Sequence, residues 1–194
     1  IMRKIFNYRF NSGSLEGHNL GNLLLSAMEK ITGSSQQGIK EIGTILKIKG
    51  RVLPVSLESS NLEIDLKNGL KLIGEDKINH NYALDTIGIK KISLNPIPTA
   101  NPEAIQAILE ADVIIIGPGN LYCSLLPNLL VPKISNAISQ SHAKIIYIAN
   151  LVNKRGHTSN FSLDNYIQCL QKYLHGKKID FVISHIHISF FHFF

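Results

Sequence analysis

Apolar residues recur at helical spacing in the first quarter of the chain. They predict one helix from about residue 19 to 31, with Gly33 as its stop, and another over about 35–48. Residues 3–10 are typical of the last turns of an earlier helix, and a loop of turn-forming residues follows them. We therefore expect the chain to open on helices, from within a domain and not at its first element.

The stretch from about 52 to 95 has short, largely alternating segments, which are typical of strands. Asn68-Gly69 separates two of them, and this dipeptide between alternating segments is a strong hairpin signal. We expect a small antiparallel β element here, inserted into a larger α/β layer. Its expected strands are 52–57, 62–66, 70–73 and 89–94.

From residue 102 onward, helical segments alternate with β-branched runs. Asn101 and Ser162 stand where helix caps are expected, and Pro102 occupies a first helical position. Strands that alternate with helices imply a parallel sheet with right-handed crossovers. The expected elements are helices at 102–111, 132–140 and 162–175 and strands at 112–116, 144–149 and 179–184. The sequence therefore predicts the α/β class, as one domain over 1–184 with an atypical Phe- and His-rich tail at 185–194.

The composition excludes several function classes. With 194 residues, 44% hydrophobic and 18% charged, the chain is long and apolar enough to bury a core. No apolar run approaches the roughly 20 residues of a membrane helix, and the first ten residues lack a signal-peptide pattern, so we expect a cytoplasmic protein without a membrane partner. The net charge of +6 comes from scattered basic residues without interleaved aromatics, so we expect no nucleic-acid partner. Two distant cysteines indicate neither a disulfide framework nor a zinc site.

The segment after the β-branched run at 113–116 is the strongest candidate for chemistry. Gly117-Pro118-Gly119 breaks the run, and Asn120 and Tyr122 follow. Open α/β sheets bind ligands at the carboxyl ends of their strands. Tyr122 stands where a dinucleotide fingerprint has its third glycine, which argues against a dinucleotide site. We expect a crevice whose side chains recognise a sugar or base and whose backbone N–H groups hold phosphate; a plain strand–turn–helix connection is the alternative.

Further polar groups are candidates elsewhere in the chain. His18, Asn19 and Asn22 lie at a predicted helix start, where anions bind readily and where small Gly21 would leave room for a ligand. Asn19 acting only as a helix cap is the alternative. Arg51 suits a phosphate or carboxylate, although a plain surface arginine is the commoner explanation. Asn150 ends the strand at 144–149, on the same sheet edge as the Gly-Pro-Gly turn, and the polar loop after it is a candidate lid.

The sequence carries few signs of catalysis. It shows no Ser-His-Asp pattern and no closely spaced carboxylate pair, so we expect no catalytic residue and no metal ligand. Cys123 has no obvious activating base. His185 and His187 are better explained as a fortuitous pair in the tail than as a metal site.

Five segments in order resemble the gluconeogenesis factor family (YvcK), which is related to 2-phospho-L-lactate transferase (CofD). The resemblance implies a three-layer α/β/α, Rossmann-like fold. It also implies a cytoplasmic protein that binds UDP-sugars such as UDP-N-acetylglucosamine and supports cell shape and wall synthesis during gluconeogenic growth. The related transferase moves a phospholactyl group from a nucleotide-activated donor with magnesium. The matching segments are 6–10, 17–22, 49–54, 117–122 and 126–132.

The chain departs from the family pattern at both ends. Members open with a glycine-rich strand-turn-helix and an Asp-Asp-Gly-Gly-type segment, which hold phosphate and, in the transferase, metal; neither occurs here. We therefore expect a fragment whose parallel sheet has an exposed edge. The expected partner is a nucleotide sugar, without a cofactor, in a possible homo-oligomer. The alternatives are a magnesium-dependent phospholactyl-type transferase and a non-functional remnant. The expected ligand-binding residues are His18, Asn19, Asn22, Arg51, Gly117, Gly119, Asn120, Tyr122 and Asn150.

Overall fold

A computed structural model describes residues 2–185 of the chain and divides it into two compact units, residues 2–57 and 58–185. The prediction of one domain over 1–184 stays a prediction. The tail from residue 186 on, including His187, lies outside the described residues.

The first unit is helical, as the apolar periodicity predicts. Its helices are α1 (Met2–Phe6), α2 (Leu20–Thr32) and α3 (Ser35–Ile45). Asn19 caps α2 by accepting a hydrogen bond from the Asn22 N–H at 3.1 Å, and Gly33 ends the helix in the left-handed conformation. Ser34 caps α3 in the same way. Because α3 ends at Ile45, the expectation that it reaches residue 48 was wrong.

The second unit begins with an antiparallel sheet. Its strands are β1 (Asn61–Leu66), β2 (Lys71–Ile73) and β3 (Ile89–Asn95), in the order β2-β1-β3. The predicted hairpin at Asn68-Gly69 is confirmed, and the Asn68 side chain accepts from the Leu70 N–H at 3.1 Å. The expected strand at 52–57 was wrong: no strand forms there, where Pro54 lacks the N–H that a ladder requires. Two short helices that the alternating pattern did not predict, α4 (Glu75–Asn79) and α5 (Leu84–Ile87), join β2 to β3.

A parallel sheet follows, with helices between its strands. Its strands are β4 (Val113–Ile116), β5 (Lys144–Ile148) and β6 (Phe181–Ile183), in the order β4-β5-β6. The helices are α6 (Pro102–Leu109), α7 (Leu126–Leu130), α8 (Ile134–Gln140) and α9 (Leu163–Gln171), and a π-helical turn covers Leu121–Leu125. Asn101 and Ser162 cap α6 and α9 as predicted. The two sheets and their helices confirm the α/β class with a parallel sheet and a small antiparallel one.

The core of the second unit includes buried side chains from both of its sheets. Ile64 on β1 and Ile145 and Tyr147 on the central strand β5 have no exposed surface. The outer strands β4 and β6 expose apolar side chains, among them Ile115 and Phe181, as expected for the edges of a sheet. Within residues 2–185, the helices are too short or too polar to cross a membrane.

The buried face of the antiparallel sheet yields a stability prediction. Ile64 is 0% exposed, so Ile64→Ala should lower the free energy of unfolding by about 2–5 kcal/mol through lost burial and the cavity left behind. Ile97, which is 73% exposed, is the matched control, and Ile97→Ala should change it by less than about 0.5 kcal/mol. Urea unfolding measures both. Equal effects of the two substitutions would contradict the packing described here.

Candidate functional site

Two loops meet at the carboxyl edge of the parallel sheet. The turn at 117–120 follows β4, and the loop at 149–161 follows β5. The Gly119 N–H donates to the Asn150 Oδ1 at 3.0 Å, and the Asn150 Nδ2 donates to the Gly119 carbonyl at 2.8 Å. This reciprocal pair fixes the two loops against each other at the place where open α/β sheets bind ligands.

The two glycines of the turn stand where a side chain would collide, Gly117 with β5 and Gly119 with the π-helical turn. Gly117 has φ +84°, and a Cβ there would lie 2.8 Å from the Ile148 carbonyl oxygen. A Cβ on Gly119 would lie 3.0 Å from the Leu125 side chain. A larger residue at Gly117 would therefore push the turn away from the end of β5.

Asn120 connects this turn to α4, one of the two helices between β2 and β3. Its Oδ1 accepts from the N–H groups of Tyr122 (3.1 Å) and Cys123 (3.3 Å), which caps the π-helical turn. Its Nδ2 donates to the Asn79 Oδ1 at 3.4 Å, and the Lys154 ammonium donates to the same oxygen. We call Asn79, Asn120, Asn150 and Lys154 the loop cluster. It joins three amides and one cation from α4 and from the loops after β4 and β5.

The hydrogen bonds of the turn bear on one expectation. The N–H groups of Gly119, Tyr122 and Cys123 all donate to asparagine side chains within the protein. These three N–H groups are therefore satisfied within the protein, and the expectation that backbone N–H groups of this loop hold phosphate stays a prediction. The positive charge available in the loop cluster is the Lys154 ammonium.

Tyr122 and His157 are buried aromatic residues of the loops that carry Asn120 and Lys154. Tyr122 is only 8% exposed, and its ring centroid lies 6.1 Å from that of His157. His157 is 1% exposed, and in the part of the chain that the structure describes neither ring nitrogen meets hydrogen-bond geometry. Burial, and then the Lys154 charge, lowers the pKa of His157, which keeps the ring neutral near pH 7. Burial likewise raises the pKa of Tyr122.

The polar loop that the sequence suggests as a lid is fastened to α5. Gly156 has φ +76°, and a Cβ there would lie 2.3 Å from the Tyr82 Cα. The Asp85 N–H donates to the Gly156 carbonyl at 3.1 Å, and the Asp85 carboxylate accepts from the Ser159 N–H at 3.2 Å. Hydrogen bonds from Ser159 lower the pKa of Asp85, so the carboxylate is ionised and holds the loop.

Four of the predicted site residues belong to the first unit. Asn19 caps α2, while His18, Asn22 and Arg51 are exposed. The room that Gly21 was expected to leave for a ligand is filled, because a Cβ there would lie 2.6 Å from the Phe6 carbonyl oxygen. That expectation was wrong, and Gly21 serves the close packing of α1 on α2.

The structure brings five predicted residues together in the second unit: Gly117, Gly119, Asn120, Tyr122 and Asn150. Sequence reasoning missed Asn79, because α4 is too short to leave a periodic signal. Lys154 and His157 lie in the polar loop after Asn150, and no motif in the sequence singles them out. The assignment of a ligand to any of these residues stays a prediction.

Cys123 and the acidic residues offer little chemistry of their own. Burial, and then the Glu75 carboxylate, raises the pKa of Cys123 to about 11, so the side chain is a thiol at neutral pH. Among residues 2–185, no three or more His, Cys, Asp or Glu side chains are grouped so as to hold a metal ion.

Comparison with known proteins places this geometry in a family context. The family model described as 2-phospho-L-lactate transferase CofD matches residues 1–189. The gluconeogenesis factor of Bacillus subtilis is 36% identical over 185 residues, which are 94% of this chain and 57% of that protein. The gluconeogenesis factor of Halalkalibacterium halodurans is 38% identical over 187 residues, which are 95% of this chain and 57% of that protein.

The solved structures agree with the sequence comparisons. A crystal structure of a UPF0052 family protein from Bacillus halodurans superimposes with a TM-score of 0.84 at 38% identity, and it covers 95% of this chain and 58% of that one. The chain therefore spans about half the length of the relatives that it matches.

The reciprocal pair predicts how the turn responds to substitution. Asn150→Ala removes both hydrogen bonds to Gly119 and should lower the free energy of unfolding by about 2 kcal/mol. The Gly119 amide should also exchange its hydrogen faster in native conditions. Asn160→Ala, on an exposed asparagine of the loop after β5, is the control and should have little effect on either quantity. Unchanged exchange at Gly119 in Asn150→Ala would show that the pair does not hold the turn.

The buried imidazole predicts a pH dependence of stability. Because the pKa of His157 is lower in the folded state than in the unfolded state, unfolded chains bind the proton first as the pH falls through about 6.5. The free energy of unfolding should therefore decrease between pH 7.5 and pH 5.5. His157→Gln should flatten this decrease, whereas His142→Gln, on an exposed histidine, should not. Parallel pH profiles for wild type and His157→Gln would contradict a neutral buried His157.

Proposed function

This chain belongs to the family of 2-phospho-L-lactate transferase CofD, and on that premise we propose that it is part of a gluconeogenesis factor that binds a nucleotide sugar at the loop cluster. The proposed ligand is of the UDP-N-acetylglucosamine type. The proposed role is regulatory: cytoplasmic support of cell shape and wall synthesis during gluconeogenic growth.

The observation that carries the proposal is the convergence of Asn79, Asn120 and Lys154 at the carboxyl edge of the parallel sheet. A nucleotide sugar presents a diphosphate together with hydroxyl and amide groups. The Lys154 ammonium suits the diphosphate, because an ammonium is a compact cation with three donors. Carboxamides donate and accept at once, which suits sugar hydroxyls or the edge of a base.

The side chains around the cluster favour binding without turnover. A general base must reach the proton that it removes and must titrate near the working pH. His157 is buried and neutral, and the Cys123 thiol has a pKa of about 11, so neither meets both requirements. We therefore propose that the protein binds the nucleotide sugar without converting it and acts as a regulator during gluconeogenic growth.

The transferase alternative follows from the name of the family model. It calls for magnesium, and the described acidic, histidine and cysteine side chains do not group into such a site. The residues on this chain therefore do not fit the metal by themselves, and we derive no step through it. Magnesium-dependent turnover of a nucleotide-activated donor would support this alternative over the regulatory one.

Calorimetry with UDP-N-acetylglucosamine tests the proposal. The chain should release heat that saturates, and Lys154→Ala should weaken binding by about tenfold to a hundredfold, because a charge-assisted hydrogen bond is worth about 1.5–3 kcal/mol. Lys178→Ala removes an equal charge from an exposed position and should leave the affinity unchanged. The same titration on a full-length relative separates failure of this chain from failure of the proposal, which is rejected if neither protein binds.

A further inference from the structure

Among the described residues, β3 is an edge strand of the antiparallel sheet. The Gly74 N–H donates to the Leu62 carbonyl at 2.9 Å, and the Leu66 N–H donates to the Leu70 carbonyl at 2.8 Å. The backbone groups of Leu62 and Leu66 therefore point toward β2, and those of the alternate residues Glu63 and Asp65 point toward β3.

The register then identifies the groups on the outer edge of β3. Glu63 lies opposite Ser93 and Asp65 lies opposite Lys91, so the backbone groups of Ser93 and Lys91 are paired with β1. The backbone N–H and C=O groups of Ile92 and Leu94 point away from β1. Across the described ranges these groups have no hydrogen-bond partner. An edge with unpaired N–H and C=O groups is a template for another strand.

A groove of about 390 Å³ runs along this edge. Residues 91–95 of β3 form one side, and Leu130 and Pro132 contribute to the other. Its volume falls within the range of ligand sites, and its opposite wall offers apolar contacts. Ile92 and Leu94 both line the groove, so their outward backbone groups lie on the groove side of β3.

The charged side chains of the antiparallel sheet indicate which charge a bound side chain should carry. Lys71, Asp65 and Lys91 lie side by side across the strands, and the Lys71 ammonium is 3.5 Å from the Asp65 carboxylate. The nearby Glu63 carboxylate, 7% exposed, is already satisfied by Asn95 at 2.9 Å and Lys71 at 3.0 Å. Lys91 is exposed and makes no ion pair with any residue from 2 to 185. On a strand added beside β3, the residue opposite Lys91 would therefore favour a carboxylate.

We propose that the β3 edge binds an extended segment of a partner protein, which adds a fourth strand to the sheet and places an acidic side chain beside Lys91. This is recognition by strand addition, in which backbone hydrogen bonds give affinity and alternate side chains give specificity. The site is made by β3, the end of α7 and the turn after it, and it does not involve the loop cluster, so it stands apart from the proposed nucleotide-sugar site.

Fluorescence anisotropy with labelled peptides tests the proposal. The probe is an eight-residue peptide of alternating valine and threonine with one central glutamate, and its control carries lysine at that position. The glutamate peptide should bind about threefold more tightly, as expected for an exposed ion pair. Lys91→Glu, on an exposed side chain, should invert this preference, whereas Lys178→Glu should not.

A second measurement leaves the protein unchanged. N-methylation of alternate residues of the glutamate peptide blocks the hydrogen bonds to Ile92 and Leu94 and should weaken binding by about tenfold or more. Absence of binding, or equal binding of the methylated and unmethylated peptides, would overturn the proposal. Self-association of the chain that Leu94→Pro abolishes would also overturn it, because the occupant would then be a second copy.

Discussion

The reciprocal hydrogen bonds between Asn150 and the Gly119 peptide determine the geometry of the whole carboxyl edge. A carboxamide presents a donor and an acceptor side by side, so it can pair with both the N–H and the C=O of one residue, as a residue of an antiparallel strand does. It thereby extends the contact of β4 with β5 beyond the last register pair, Ile116 with Tyr147. With the turn fixed in this way, Asn120 caps the π-helical turn and reaches Asn79, and Lys154 reaches the same oxygen.

In this arrangement the backbone N–H groups of the turn bond to asparagine side chains. A glycine-rich turn after a parallel strand suggests a backbone cradle for phosphate, yet here the amides of the turn are used within the protein. The polar side chains that meet there are three asparagines and Lys154, beside a buried Tyr122 whose ring lies 6.1 Å from that of His157.

Local signals explain what the sequence could predict. Cap residues such as Asn101 and Ser162, the Asn68-Gly69 hairpin and the β-branched strands all act over a few residues, and the structure has each of them. The helices α4, α5 and α7 span four or five residues, which is too short for a period of 3.6 to show. At 52–57 the pattern predicted an element that does not form, because Pro54 interrupts the alternation.

The candidate site was predictable in position but not in composition. Strand ends of a parallel sheet locate it, which explains why Gly119, Asn120 and Asn150 were found from the pattern alone. Asn79 comes from a helix 41 residues before Asn120 in the chain, and only the fold brings the two side chains together. The outward backbone groups of Ile92 and Leu94 at the edge of β3 depend on strand order and register, which alternation alone does not specify.

The central proposal is that the loop cluster binds the nucleotide sugar. Nuclear magnetic resonance of the nitrogen-15-labelled chain, titrated with UDP-N-acetylglucosamine, tests it most directly. We predict saturable shifts of the amides at 117–122 and 150–158 and of the Asn79 and Asn120 side-chain amides, with smaller shifts along β3. Saturable shifts confined to other parts of the chain would contradict the assignment of the ligand to this edge of the parallel sheet.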